Sequence, residues 1–123
     1  LDLLAEMDTA AKLHKVDHLD PTVASAEAVL AMATRDGTRV LGLGDEIGTL
    51  ETGKRADLIV VDTDKPHLTP MYSPVSHLVY SVKGSDVVTS VIDGRVVMDK
   101  GELLTVDEEQ AMAEARQAAE KIR

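Results

Sequence analysis

The chain contains no cysteine, no phenylalanine and no tryptophan, and only two tyrosines and four prolines. Without cysteine it can build neither a disulfide framework nor a thiolate metal site. Aromatics at 2% leave no stacking platform for bases or sugar rings, so any core must come from Val, Leu, Ile, Ala and Met. Positive charge is scarce as well. Thirteen Lys and Arg against 22 Asp and Glu give a net charge of −9, the wrong sign for phosphate backbones or anionic lipid. Nucleic acid and membrane are therefore excluded as expected partners. No apolar run approaches the roughly 20 residues needed to cross a bilayer, and no signal-peptide pattern opens the chain. These absences predict a soluble, cytoplasmic protein.

What is present is the material of one modest domain: 123 residues, 44% of them hydrophobic, enough for a core of its own. The organising stretch is Gly48 to Asp62, Gly-Thr-Leu-Glu-Thr-Gly-Lys-Arg-Ala-Asp-Leu-Ile-Val-Val-Asp. Its glycines mark a loop. Leu58-Ile59-Val60-Val61, between Asp57 and Asp62, predicts a strand buried on both faces. Helical patterns lie before this point and strand patterns dominate after it.

Leu3, Met7, Ala10 and His14 recur at helical spacing and predict a first helix from Leu1 to about Val16. It opens abruptly, with only Asp2 as a partial cap, which leads us to expect that a natural N-terminal region is missing. Asp20-Pro21 ends the region. A second helix is predicted from Ser25 to Arg35 with a left-handed stop at Gly37, and a short third from Thr38 to Leu41. The segment from Asp64 to Pro74 carries three prolines and reads as an irregular connection. Further strands are predicted at Leu78 to Val82, Val87 to Ile92 and Arg95 to Met98, the last two joined by a tight turn at Asp93-Gly94. Thr105-Val106-Asp107-Glu108 fits a capping box that starts a final helix, with Ala111, Ala115, Ala118, Ala119 and Ile122 as its thin apolar stripe.

Candidate chemistry is sparse. His14 and His18 are spaced for one helix face, but Lys15 stands where a metallopeptidase helix needs Glu. Surface or packing roles outweigh a metal role for the pair, and more so for the single histidines His67 and His77. Asp57, Asp62 and Asp64 lack calcium-loop spacing and read as turn caps. Gly42-x-Gly44 with Gly48 is not a dinucleotide fingerprint, and no serine has a nucleophile-elbow context. The acidic start (Asp107, Glu108, Glu109) and basic end (Arg116, Lys121, Arg123) of the last helix suit its dipole.

The stretch from Gly48 to Asp62 resembles the signature near the C-terminus of the metal-dependent amidohydrolase superfamily. Ala31-Met32-Ala33-Thr34, Gly37, Leu41-Gly42-Leu43 and Val91-Ile92-Asp93-Gly94-Arg95-Val96-Val97 agree with it. Leu1 to His14 is similar to the helix after the last barrel strand in the branch of methylthioadenosine/S-adenosylhomocysteine deaminases and triazine chlorohydrolases. The resemblance implies an α+β fragment: last helices of a (β/α)8 TIM barrel in 1–41, part of a small composite β-sandwich in 42–104, and a C-terminal helix in 105–123. It also implies a parent hydrolase in which a divalent, zinc-type ion activates water to attack a purine-like or triazine-like ring at a C–N or C–Cl bond. Deamination of an adenosine-type compound leads these possibilities.

The family's His-x-His and Gly-Thr-Asp-Gly segments are absent, so no catalytic, cofactor-binding or metal residue carries over. Gly48, Glu51, Gly53, Lys54, Ala56 and Asp57 match in structural roles only. The chain alone is expected to bind no metal and to be inactive. Its expected partner is the missing N-terminal part of the same enzyme, with a homo-oligomer left open. The competing expectation is a freestanding, non-catalytic α+β binding or assembly module.

Overall fold

The computed structural model describes residues 2–122. Helix α1, Leu3–His18, begins where the Asp2 side chain accepts from the amides of Leu4 (3.0 Å) and Ala5 (3.3 Å), satisfying donors that have no partner within the helix. The predicted start at Leu1 lies outside the described residues. The helix runs two residues past the predicted Val16 and stops with Leu19 at φ 51°. Asp20 then accepts from the Thr22 amide at 2.8 Å and its hydroxyl at 2.6 Å, a local turn that competes with further helix.

Helix α2, Ala26–Ala31, begins at the predicted place and is capped by the Ser25 hydroxyl. It does not stop at Gly37. A π-helical segment, Met32–Asp36, carries the chain into α3, Gly37–Val40, with Gly37 helical at φ −60°. Gly37 is needed for a different reason: a Cβ there would stand 2.6 Å from the Met32 carbonyl oxygen. The wider π turn brings backbone to backbone, and only glycine leaves room. The left-handed stop comes after α3, at Gly42 (φ 74°).

The predicted strand at Leu78 to Val82 does not form: Leu78 to Tyr80 end a helix and Ser81 and Val82 follow it. Helix α4, Pro74–Tyr80, starts with the Ser73 hydroxyl accepting from the Ser76 amide and with proline in its first turn. A cap followed by proline is a helix-start signal, and it overrides the weaker β preference of the later Val and Tyr residues. Helices α1, α2 and α4 meet around Met7, Ala11, Ala26, Val29 and Val79, ringed by Leu4, Ala24, Leu30, Ala33, Val75 and Tyr80. This is the core, and it is helical. Lys15 ties it shut: its Nζ donates to the carbonyls of Val23 (2.8 Å) and Ala24 (2.7 Å) and to the Tyr80 hydroxyl (3.2 Å).

The second layer is a four-stranded antiparallel sheet in the order β1-β2-β3-β4, formed by Leu58–Val61, Val87–Ile92, Arg95–Asp99 and Glu102–Leu103. The hairpin closes as predicted on Asp93 (φ 49°) and Gly94 (φ 75°). A second tight turn, Lys100 (φ 49°) and Gly101 (φ 81°), adds β4, which the sequence reading lacked. Strand β1 departs from its expected burial. It pairs only with β2, at one end of the sheet, and Ile59 and Val60 are 52% and 47% exposed. Helix α5, Glu108–Glu120, starts two residues later than the capping box predicts, because Asp107 takes the cap by accepting from the Gln110 amide at 2.9 Å. Every described residue of α5 is exposed. The whole is a mixed α/β structure.

Candidate functional site

The glycine-rich loop before β1 is held by its own backbone and one lysine. Lys54 Nζ donates to the Gly44 carbonyl at 2.7 Å, and the Arg55 amide donates to the Glu46 carbonyl at 2.9 Å. The Arg55 guanidinium donates to the Glu46 carboxylate, which raises the arginine's pKa through that hydrogen bond first and attraction second. Gly48, at φ 95°, lies so close to the Thr38 side chain that a Cβ would collide with it, and the Cβ would stand only 3.2 Å from Arg35 Cα. Gly53 also has positive φ, at 96°, but faces open space.

The loop then anchors the hairpin. Asp57 accepts from the Asp93 amide at 2.6 Å, and the Gly94 amide donates to the Ala56 carbonyl at 3.1 Å. The signature residues thus join the π-helical segment and α3 at one end to the β2–β3 turn at the other.

The histidines sit apart. His14 and His18 share a face of α1 with ring centroids 6.2 Å apart, and His18 Nδ1 lies 3.0 Å from the His14 carbonyl oxygen. His77 lies within α4 rather than just before a strand, and its Nδ1 is 2.9 Å from the Ser73 carbonyl oxygen. Among the described residues no three His, Asp or Glu side chains gather as metal ligands would. Asp62 caps a turn, accepting from the Asp64 amide at 3.0 Å and from Lys65 Nζ at 2.9 Å. Those two donors, Lys65 first, hold its pKa down.

The sequence reading missed one pair. Asp86 is only 4% exposed and accepts from His67 Nε2 and from the Lys83 amide, each at 2.8 Å. The His67 hydrogen bond, then the Lys83 amide, push its pKa below the ordinary carboxylate range. Nineteen residues separate the partners, and no local periodicity links them. Only the chain's return through α4 brings them together.

The remaining conspicuous surface is largely apolar. A groove of about 180 Å³ between α1 and the α2–π segment is lined by Leu3, Met7, Ala10, Val29 and Met32, with Glu6 as its one charged side chain. A second, about 270 Å³, is mixed: Leu30, Ala31 and Val75 line it beside Glu27, Arg35 and Thr49, whose hydroxyl is buried without a hydrogen-bond partner among the described residues. Leu13, Val16, Leu19, Val40, Leu41 and Leu50 are also exposed. Neither groove combines a nucleophile, base and oxyanion donor. Both are suited to packing against polypeptide. No helix of the described residues is long and apolar enough to cross a membrane.

Known proteins share this arrangement. The chain is 56% identical over its full length to a 5-methylthioadenosine/S-adenosylhomocysteine deaminase of Syntrophus aciditrophicus. It is 53% identical over 99% of its length to a 5'-deoxyadenosine deaminase of Methanosarcina acetivorans. In each case it spans 28% of the relative's length. A solved adenosine deaminase from Xanthomonas campestris with bound zinc superposes with a TM-score of 0.95 at 37% identity, over 98% of this chain and 27% of that one. An atrazine chlorohydrolase from Arthrobacter aurescens, complexed with zinc, gives 0.83 at 25% identity, over 93% and 25%. The model of the amidohydrolase family matches residues 1–97, taking in the helical core, the glycine-rich loop and the β2–β3 hairpin, and this chain belongs to that family.

Proposed function

We propose that this chain is the C-terminal portion of a longer amidohydrolase that deaminates an adenosine-type compound hydrolytically. The observation that carries the reading is identity of 56% and 53%, across essentially the whole chain, to deaminases of methylthioadenosine, S-adenosylhomocysteine and 5'-deoxyadenosine. In that reaction water adds to the amino-bearing ring carbon, the C–N bond breaks, and ammonia leaves. Residues 1–41 supply the last helices of a (β/α)8 barrel, 42–104 part of a composite β-sandwich, and 105–123 the terminal helix. Three features support this division: the grooves on the helical layer, the exposed edge of β1, and the loop that joins the layers.

The adenosine deaminase and the atrazine chlorohydrolase of known structure are zinc complexes. The described residues of this chain do not fit a zinc site, since no three potential ligands gather and His18, His67 and His77 are engaged with backbone or Asp86. We assign the ion and all catalytic groups to polypeptide outside this chain, and give no residue here a catalytic, cofactor-binding or metal role. The triazine chlorohydrolases are a second reading, disfavoured by their lower identity of 25%.

A substrate panel on the longer protein tests this: methylthioadenosine, S-adenosylhomocysteine, 5'-deoxyadenosine and a chlorotriazine, with ammonia and chloride release as readouts. Ammonia from the adenosine compounds is expected, with none from the 123-residue chain alone. Micromolar zinc binding or deamination by the isolated chain would overturn the division of labour.

A further inference from the structure

We infer that the His67–Asp86 pair and the short turn it closes form a link that sets the start of α1, so that the connection after β1 and the first turn of α1 loosen together. Asp86 is held from three sides. Its carboxylate accepts from His67 Nε2 and the Lys83 amide, each at 2.8 Å, and its carbonyl accepts from the Asp62 amide at 2.8 Å. Being 4% exposed, the carboxylate cannot lose a donor and stay in place without a desolvation cost, so losing His67 favours movement of the turn.

That turn, Gly84–Asp86, leans on the helix cap. A Cβ on Gly84 would lie 3.0 Å from Asp2 Oδ2 and 3.4 Å from its Cγ, while Asp2 Oδ1 accepts from the Leu4 and Ala5 amides at 3.0 and 3.3 Å. One side of the Asp2 carboxylate thus holds the helix, and the other rests on bare backbone with no side chain to absorb a shift. The charged groups around the link are Asp62, Asp64 and Lys65 after β1, Lys83 in the turn, and Asp2 on α1.

The test is amide NMR on the full chain. Asp86→Asn, which keeps the shape but weakens the acceptor, is expected to shift the Leu4 and Ala5 amide signals and to speed their hydrogen exchange several-fold. The Gln110 amide, capped separately by Asp107 in α5, should not change. Coupling is reciprocal, so Asp2→Ala is expected to move the His67 ring signals, and the Asp2→Ala, Asp86→Asn double variant to deviate from additivity. Should Asp86→Asn fail to fold, His67→Gln is read the same way. Unchanged Leu4 and Ala5 amides beside altered Lys83 and Asp86 amides, or an additive double variant, would overturn the link.

Discussion

Two glycines of the loop before β1 separate backbone strain from steric contact. Gly48 and Gly53 have nearly the same φ, 95° and 96°, yet only Gly48 meets a neighbour where a Cβ would be. Alanine at either position takes on left-handed strain of about 1–2 kcal/mol. Gly48→Ala must in addition push Thr38 aside, so thermal melts should show it as clearly the more damaging. Asp86 makes a pH-dependent case. Its pKa is lowered in the fold, chiefly by His67, so its ionised form stabilises the folded state. That contribution is complete above the ordinary carboxylate pKa and is lost as pH falls through the lower folded value. Denaturant melts of the parent and Asp86→Asn should therefore differ most near neutrality and converge in acid.

Among elements, α4 is the clearest lesson about what the sequence disclosed. The hairpin at Asp93-Gly94 was legible because the turn needs positive φ at two adjacent residues, a local demand that glycine and aspartate meet. Helices α1 and α2 were legible from their periodicity and caps. Helix α4 was not, because its seven residues give under two turns of pattern and its Val and Tyr residues favour strands. The decisive signal was the Ser73-Pro74 start, submerged among the other prolines of the connection. If that cap sets the helix, Ser73→Ala should cost about 1 kcal/mol in chemical denaturation, and circular dichroism should show a small loss of helix. A strand there would leave the variant unchanged. The exposure of β1 and the His67–Asp86 pair were illegible for another reason. Both depend on which segments return to lie beside them, and adjacent residues carry no record of that.

For the whole molecule, the exposed apolar side chains of α1 are the feature most in need of explanation. Leu13 and Val16 lie on the outside of a helix whose opposite side already fills the core with Met7 and Ala11. A helix that is apolar around much of its circumference normally belongs inside a larger body. Replacing Leu13 or Val16 with serine should change the stability of the 123-residue chain by no more than about 0.5 kcal/mol. In the longer protein, where we place this helix among the last of the barrel and expect Leu13 and Val16 to be covered, each replacement should cost about 1.5–3 kcal/mol. Paired melts of the two proteins check this, and equal small effects in both would remove the proposed packing.

The anchoring lysine of the helical core has a chemical consequence. Acylating reagents need a free, accessible amine, and Lys15 has its ammonium committed to three oxygens at 2.7–3.2 Å. Lys54, its side chain 16% exposed, is similarly engaged by the Gly44 carbonyl. Brief treatment with an acetylating ester followed by peptide mass spectrometry should mark the exposed Lys100 well before either. Early modification of Lys15 would then report that the first helix has come away from Tyr80.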